Sequence, residues 1–201
     1  MNYFVTAIGT DSGKTLFSAV LCEALQADYW KPVQAGLPRD TDTVKSLVSN
    51  EVTKFHSETY LLNTPASPHA ASKKDNVFID VNNFPVPHTE TDLVVEGAGG
   101  CLVPLNDIDF VIDLAKRFQA QVILVSNLYL GSINHTLLSA DYLRKNKFDV
   151  RGIVFNGQAN PDSEEIILRH TGFKCLLRMD HENEINKEVV KKYAAQLNAN
   201  W

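Results

Sequence analysis

The chain has 201 residues, 44% of them apolar, enough for one substantial hydrophobic core and too few for two large domains. Charged residues make up 21% and the formal net charge is −5, so nothing points to a nucleic-acid partner. Cys22, Cys101 and Cys175 lack metal-ligand or disulfide spacing, no apolar run nears the roughly 18 residues of a membrane span, and the N-terminus has no leader pattern, so a cytoplasmic protein handling small molecules is expected, with no membrane association.

In chain order, Tyr3-Phe4-Val5 predicts a first strand, followed by a glycine loop from Gly9 to Thr15 and a helix whose Phe17, Val20, Leu21, Ala24 and Leu25 share one face. Tyr29-Trp30 predicts a second strand, leading into Lys31 to Gly36 and a helix expected to begin near Thr43. The stretch from Thr59 to Pro87 carries Pro65, Pro68, Pro85 and Pro87 with little periodicity and reads as an irregular excursion over the site or sheet edge. Leu93-Val94-Val95 predicts a strand before Glu96 to Gly100, and Val111, Leu114, Ala115 and Phe118 mark a helix. Val122 to Val125 and Ile153-Val154-Phe155 predict two further strands, around a helix striped by Ile133, Leu137 and Ala140. Ile185, Val189, Tyr193 and Leu197 mark a C-terminal helix. Continuous apolar runs suit strands covered on both faces. Their alternation with helices predicts a single α/β domain over residues 1–201, a mostly parallel sheet with helices on both faces. Ligands of such sheets gather beyond the carboxyl ends of the strands.

Ala7-Ile8-Gly9-Thr10-Asp11-Ser12-Gly13-Lys14-Thr15 resembles the phosphate-binding loop of P-loop NTPases, with Ile8 where the usual pattern has its first glycine. Glycines let backbone N–H groups turn toward one point, the next helix offers its positive end, and Lys14 adds a full charge. Thr15 is the expected hydroxyl ligand of Mg²⁺, an ion that also takes carboxylates. Glu96 closes an apolar run where an acid of the Walker-B kind belongs. Asp42 is the second candidate, although in Arg39-Asp40-Thr41-Asp42-Thr43 either aspartate could simply cap the helix.

Five segments together resemble the dethiobiotin synthetase family: Tyr3 through Thr15, Lys31-Pro32-Val33-Gln34-Ala35-Gly36, Ser67-Pro68-His69, Val95-Glu96-Gly97-Ala98-Gly99-Gly100 and Leu130-Gly131-Ser132-Ile133-Asn134-His135. The resemblance implies a cytoplasmic homodimer that carboxylates 7,8-diaminononanoate with CO₂ and closes the ureido ring, with Mg²⁺ as cofactor and ATP as co-substrate. It implies Lys31, Lys14 and Thr10 as catalytic residues and Thr15, Asp42 and Glu96 as metal ligands. Asp11, Ser12, Gly13, Lys14, Thr15, Leu16, Asp42, Glu96, Gly97, Ala98, Gly99, Asn156 and Gly157 would hold the nucleotide. Ala35 and, across the dimer interface, Gly131, Ser132, Ile133 and Asn134 would meet the substrate. His69 and His135 are given no proton-transfer role; Ser67-Pro68-His69 would shape the pocket wall.

The sequence departs from the family at four places. Ala35 stands where the family usually carries a hydroxyl residue, leaving one polar contact absent or supplied by Gln34, backbone or water; Asp11 is shorter than the common glutamate; Tyr129 replaces a basic residue found in some members; and Leu176-Leu177-Arg178-Met179-Asp180 lacks the Gly-x-Ile-Pro that often borders the purine. The alternative is a P-loop ATPase switch of the partitioning type acting through protein association, but Ala7-Ile8-Gly9-Thr10 lacks its signature lysine. An amidotransferase of the cobyric-acid type would need a further glutaminase domain.

Overall fold

The computed structural model describes residues 1–201. In order along the chain the elements are β1 (Asn2–Ala7), α1 (Lys14–Leu25), β2 (Asp28–Trp30), β3 (Val33–Ala35), α2 (Asp40–Leu47), β4 (Phe55–His56), β5 (Tyr60–Leu62), α3 (Pro68–Lys74), β6 (Leu93–Glu96), α4 (Asp113–Arg117), β7 (Gln121–Asn127), α5 (Ser132–Lys145), β8 (Val150–Asn156), α6 (Pro161–Thr171), β9 (Cys175–Met179) and α7 (Lys187–Asn200). Seven strands form one sheet in the order β4-β2-β6-β1-β7-β8-β9, and β3 and β5 form a separate pair. Every pairing is parallel, with Phe4 opposite Val95 on one side and Val122 on the other.

Successive residues of a strand point to opposite faces, and the core divides accordingly. Tyr3, Val5, Ala7, Tyr29 and Val94 pack with Phe17 and Leu21 of α1, Val44 of α2 and Tyr193 and Leu197 of α7. Phe4, Trp30 and Val95 face the other side, with Leu114 of α4, Leu143 of α5 and Ile167 of α6. Both faces are therefore covered, which is why the central strands read as unbroken apolar runs. No helix is long and apolar enough to cross a membrane.

The structure departs from the sequence expectations in several places. The Thr59 to Pro87 stretch holds β5 and α3 before turning irregular. Pro68 occupies the first helical turn of α3, where its missing N–H has no helical partner to lose. Helix α2 starts at Asp40 rather than near Thr43. In α5 the buried stripe is Ser132, Thr136, Ala140 and Leu143, so Ile133 and Leu137 are only half-buried. Ile185 precedes α7 and is exposed. The atypical Leu176 to Met179 stretch is simply strand β9, whose Arg178 pairs with the buried Glu164 of α6.

Candidate active site

Strands β1, β2 and β6 end side by side, and beyond their carboxyl ends lies a cavity of about 790 Å³. The loop from Gly9 to Gly13 forms one wall. Gly13 has φ 94°, and a side chain there would collide with Asn156. Only glycine takes this left-handed turn freely. No side chain caps the first N–H groups of α1, so they stay free for an anionic ligand. Ser12 Oγ donates to the Gly9 carbonyl at 3.1 Å, and Lys14 Nζ folds back to the same carbonyl at 3.3 Å. Burial pulls the Lys14 ammonium below the ordinary lysine range, Glu96 opposing and Lys31 adding to the fall. An anion seated between these groups would relieve that pressure.

Glu96 ends β6 with its side chain fully buried. Its Oε1 accepts from Thr15 Oγ1 at 2.9 Å and from Lys31 Nζ at 3.1 Å, and its Oε2 accepts from the Tyr29 hydroxyl at 3.0 Å. Lys31 also reaches the Gly97 carbonyl at 3.0 Å and Asp40 Oδ2 at 2.6 Å. Burial alone would lower the Lys31 ammonium, but Glu96 and Asp40 outweigh it and hold the group above the ordinary lysine range. Lys31 is therefore a fixed positive charge at neutral pH and not a free base. Three loops thus bring two cations and two carboxylates to one cavity.

The expected residues Thr10, Asp11, Ser12, Gly13, Lys14, Thr15, Lys31, Ala35, Glu96, Ala98 and Gly99 line this cavity, with Ser67 and Pro68 on its far side. Gly97 contributes its carbonyl, and Leu16 packs on the core below the loop. His69 is turned from the cavity toward a separate groove, its ring nitrogen 3.0 Å from Ser67 Oγ. Gln34 cannot replace the hydroxyl missing at Ala35, because its amide is spent on the Gly36 carbonyl and the Asp40 N–H, at 3.0 and 3.1 Å.

Asp42 lies outside this cavity. Its carboxylate is clamped by Arg39 at 2.9 and 2.7 Å, its side chain is 57% exposed, and Asp40 takes the cavity position. Two residues span roughly 200° around a helix, so with α2 starting at Asp40 the two aspartates face opposite ways. Neither side chain caps the helix. Asn156 and Gly157 border a second groove of about 690 Å³, which Asp11 shares with the main cavity and which Asn127, Asp180 and His181 also line. Asn156 Nδ2 donates to the Ser12 carbonyl at 3.0 Å, tying β8 to the phosphate loop. Gly131 to Asn134 stand apart from both, at the start of α5, beside a wholly exposed Leu130. Gly131 is the N-cap of α5.

Sequence reading missed Tyr29 as a site residue. The available signal was spacing: Tyr29 and Lys31 lie two apart on extended chain and so point the same way, and both reach Glu96. For Mg²⁺ the donor set is suitable, the Thr15 hydroxyl and the buried Glu96 carboxylate beside a phosphate loop being hard oxygen ligands. No three His, Cys, Asp or Glu side chains cluster as a metal cage.

A family model described as an AAA domain matches residues 1–189. The chain is 56% identical over 201 residues to the ATP-dependent dethiobiotin synthetase BioD of Cytophaga hutchinsonii, covering 99% of this chain and 98% of that one. It is 47% identical to the protein of that name from Christiangramia forsetii, covering 96% and 94%, and 39% identical to that of Chlamydia felis, covering 100% and 96%. Among solved structures, a ParA family ATPase from Chlorobium tepidum superposes with a TM-score of 0.59 at 9% identity, covering 99% of this chain and 94% of that one. The septum site-determining protein MinD of Pyrococcus horikoshii, complexed with Mg-ADP, gives 0.54 at 13%, covering 100% and 93%. At such low identity the two structures speak for the fold alone.

Proposed function

The chain belongs to the ATP-dependent dethiobiotin synthetases and is an ATP-dependent ligase, and on that footing we propose that the cavity at Glu96 carboxylates one amine of 7,8-diaminononanoate and closes the ureido ring. The observation that carries this reading is the meeting of Lys14, Thr15, Lys31 and Glu96 from three strand ends in one cavity. Catalysis of phosphoryl transfer is mostly positioning and charge neutralisation, and these residues supply both.

In the proposed sequence the amine attacks CO₂, a C–N bond forms and a proton leaves, giving a carbamate. A carbamate oxygen attacks the γ-phosphorus of ATP and the bond to ADP breaks, giving a carbamic-phosphoric anhydride. The neighbouring amine then attacks the carbonyl carbon, phosphate departs with the former carbamate oxygen, and a second proton is lost as the ring closes. Lys14 and the free N–H groups of α1 hold the phosphates. Thr10 donates to carbamate or phosphoryl oxygens. Lys31 leaves Glu96 and Asp40 to bind the carbamate and γ-phosphoryl oxygens, where its permanent charge offsets the growing negative charge. Thr15 and Glu96 would hold Mg²⁺, which when bound neutralises phosphate charge.

Asp42 is proposed as the third metal ligand. An exposed pair such as Arg39–Asp42 is worth about 0–1 kcal/mol, so little holds the Asp42 carboxylate outward and it can be drawn toward the site once the site is charged. Asn156, with its amide N–H₂ engaged by Ser12, offers Oδ1 to a base that carries an exocyclic amine, as adenine does. The Gly131 to Asn134 helix start of a second copy would receive the substrate carboxylate, making the working unit a homodimer. An oxygen-18 bicarbonate label tests the intermediate: one labelled oxygen should appear in the released phosphate. Phosphate without label would rule out the anhydride.

A further inference from the structure

We propose that Tyr29 is a positioning residue of the metal site, its phenol holding Oε2 of Glu96 so that Oε1 stays turned toward Thr15. The proposal rests on the reading of Glu96 as a metal ligand. The carboxylate divides its oxygens between two tasks: Oε1 faces Thr15 and Lys31 at the cavity, while Oε2 is turned inward to Tyr29 at 3.0 Å. Tyr29 is fully buried and does not line the cavity, so it touches neither nucleotide nor substrate. It lies on β2 opposite Val94 of β6, beside the Phe55 ring at 6.1 Å. Its ring is buried in the core shared with α1 and α7.

The other two donors are not fixed in this way. Lys31 has alternative acceptors in Gly97 and Asp40 and leaves Glu96 when it serves the carbamate. Thr15 would offer its lone pairs to the ion while its O–H stays on Oε1. Tyr29 is the donor on the inward oxygen Oε2, and it keeps that oxygen in place as Lys31 departs. A buried phenol needs some acceptor in any case, so mere satisfaction of the hydroxyl is the competing explanation. The two differ in whether removing the hydroxyl changes the response to Mg²⁺.

The test measures ADP binding to the purified chain by calorimetry, with and without Mg²⁺, for wild type, Tyr29→Phe, Phe55→Leu and Glu96→Gln. In Tyr29→Phe the tightening brought by Mg²⁺ should shrink about tenfold, equal to about 1.4 kcal/mol, while ADP binding without Mg²⁺ stays unchanged. The latter also reports that the site is still formed should the melting point fall. Phe55→Leu should lower thermal stability and leave the Mg²⁺ response alone. A wild-type Mg²⁺ response in Tyr29→Phe, with the response lost in Glu96→Gln, would overturn the role of Tyr29. An equal loss in Phe55→Leu would do the same by tracing the effect to packing. An unchanged response in Glu96→Gln would instead bring down the metal reading itself.

Discussion

At Lys31 a single side chain ties together Glu96, Asp40 and the Gly97 carbonyl. Its removal acts twice: it leaves buried carboxylate charge without a cation, which is costly, and it withdraws the positive charge placed for the carbamate. In Lys31→Gln we expect an unchanged far-UV spectrum, a lowered melting point, and dethiobiotin formation slowed about 10²- to 10³-fold, read by single-turnover assay. Turnover near wild type would remove Lys31 from the mechanism. Lys14, Thr15, Lys31 and Glu96 were legible in the sequence because each ends or follows an apolar strand. Asp42 stands outside the cavity because two residues on α2 span roughly 200°, which turns Asp40 and Asp42 to opposite sides, and an acidic run carries no sign of that rotation. Tyr29 escaped because a tyrosine in an apolar strand reads as core, which its ring is.

Elements were legible in proportion to their length and burial. The central strands announced themselves as continuous apolar runs, whereas β4 and β5, of two and three residues, are too short for periodicity. Helix α3 was hidden among prolines, one of which starts it. Helix α1 is tied to the segment after α2 through Glu23, which accepts from Ser49 N and Oγ at 2.7 and 2.6 Å and from Asn50 N at 3.2 Å. Burial would raise this carboxyl, but the Ser49 and Asn50 donors prevail and hold it below its ordinary value of 4.5. A lowered carboxylate pKa contributes stability that is full above the unfolded value and fades as pH falls through the folded one. Glu23→Gln should therefore lower the melting point by a constant amount above about pH 5, with the gap to wild type closing as the pH is taken down below 4.5. A gap that widens in acid would contradict this linkage. At the other end of the site, Asn156→Ala cuts the link from β8 to Ser12 and a base contact together. It should weaken ATP binding about tenfold, or about 1.4 kcal/mol, by calorimetry.

On the scale of the molecule, one chain supplies a phosphate loop, a lysine pair and a carboxylate wall, but the helix start expected to grip the substrate's carboxylate does not line its own cavity. Leu130, at 103% relative exposure, stands beside that helix start, where the proposed second copy would cover it. Leu130→Asp should shift the sedimentation of the protein from dimer to monomer and lower its activity in step; full activity as a monomer would refute the shared site. The parallel sheet was legible from alternating strands and helices, while the second copy proposed to meet α5 leaves no periodicity in the sequence that could place it. The central claim is that this cavity makes dethiobiotin. Purified protein should be incubated with ATP, Mg²⁺, bicarbonate and 7,8-diaminononanoate and the products followed by mass spectrometry. Dethiobiotin should appear with one ADP for each molecule formed, and disappear when bicarbonate or the diamine is omitted. ADP released without dethiobiotin, at a rate indifferent to the diamine, would contradict the account.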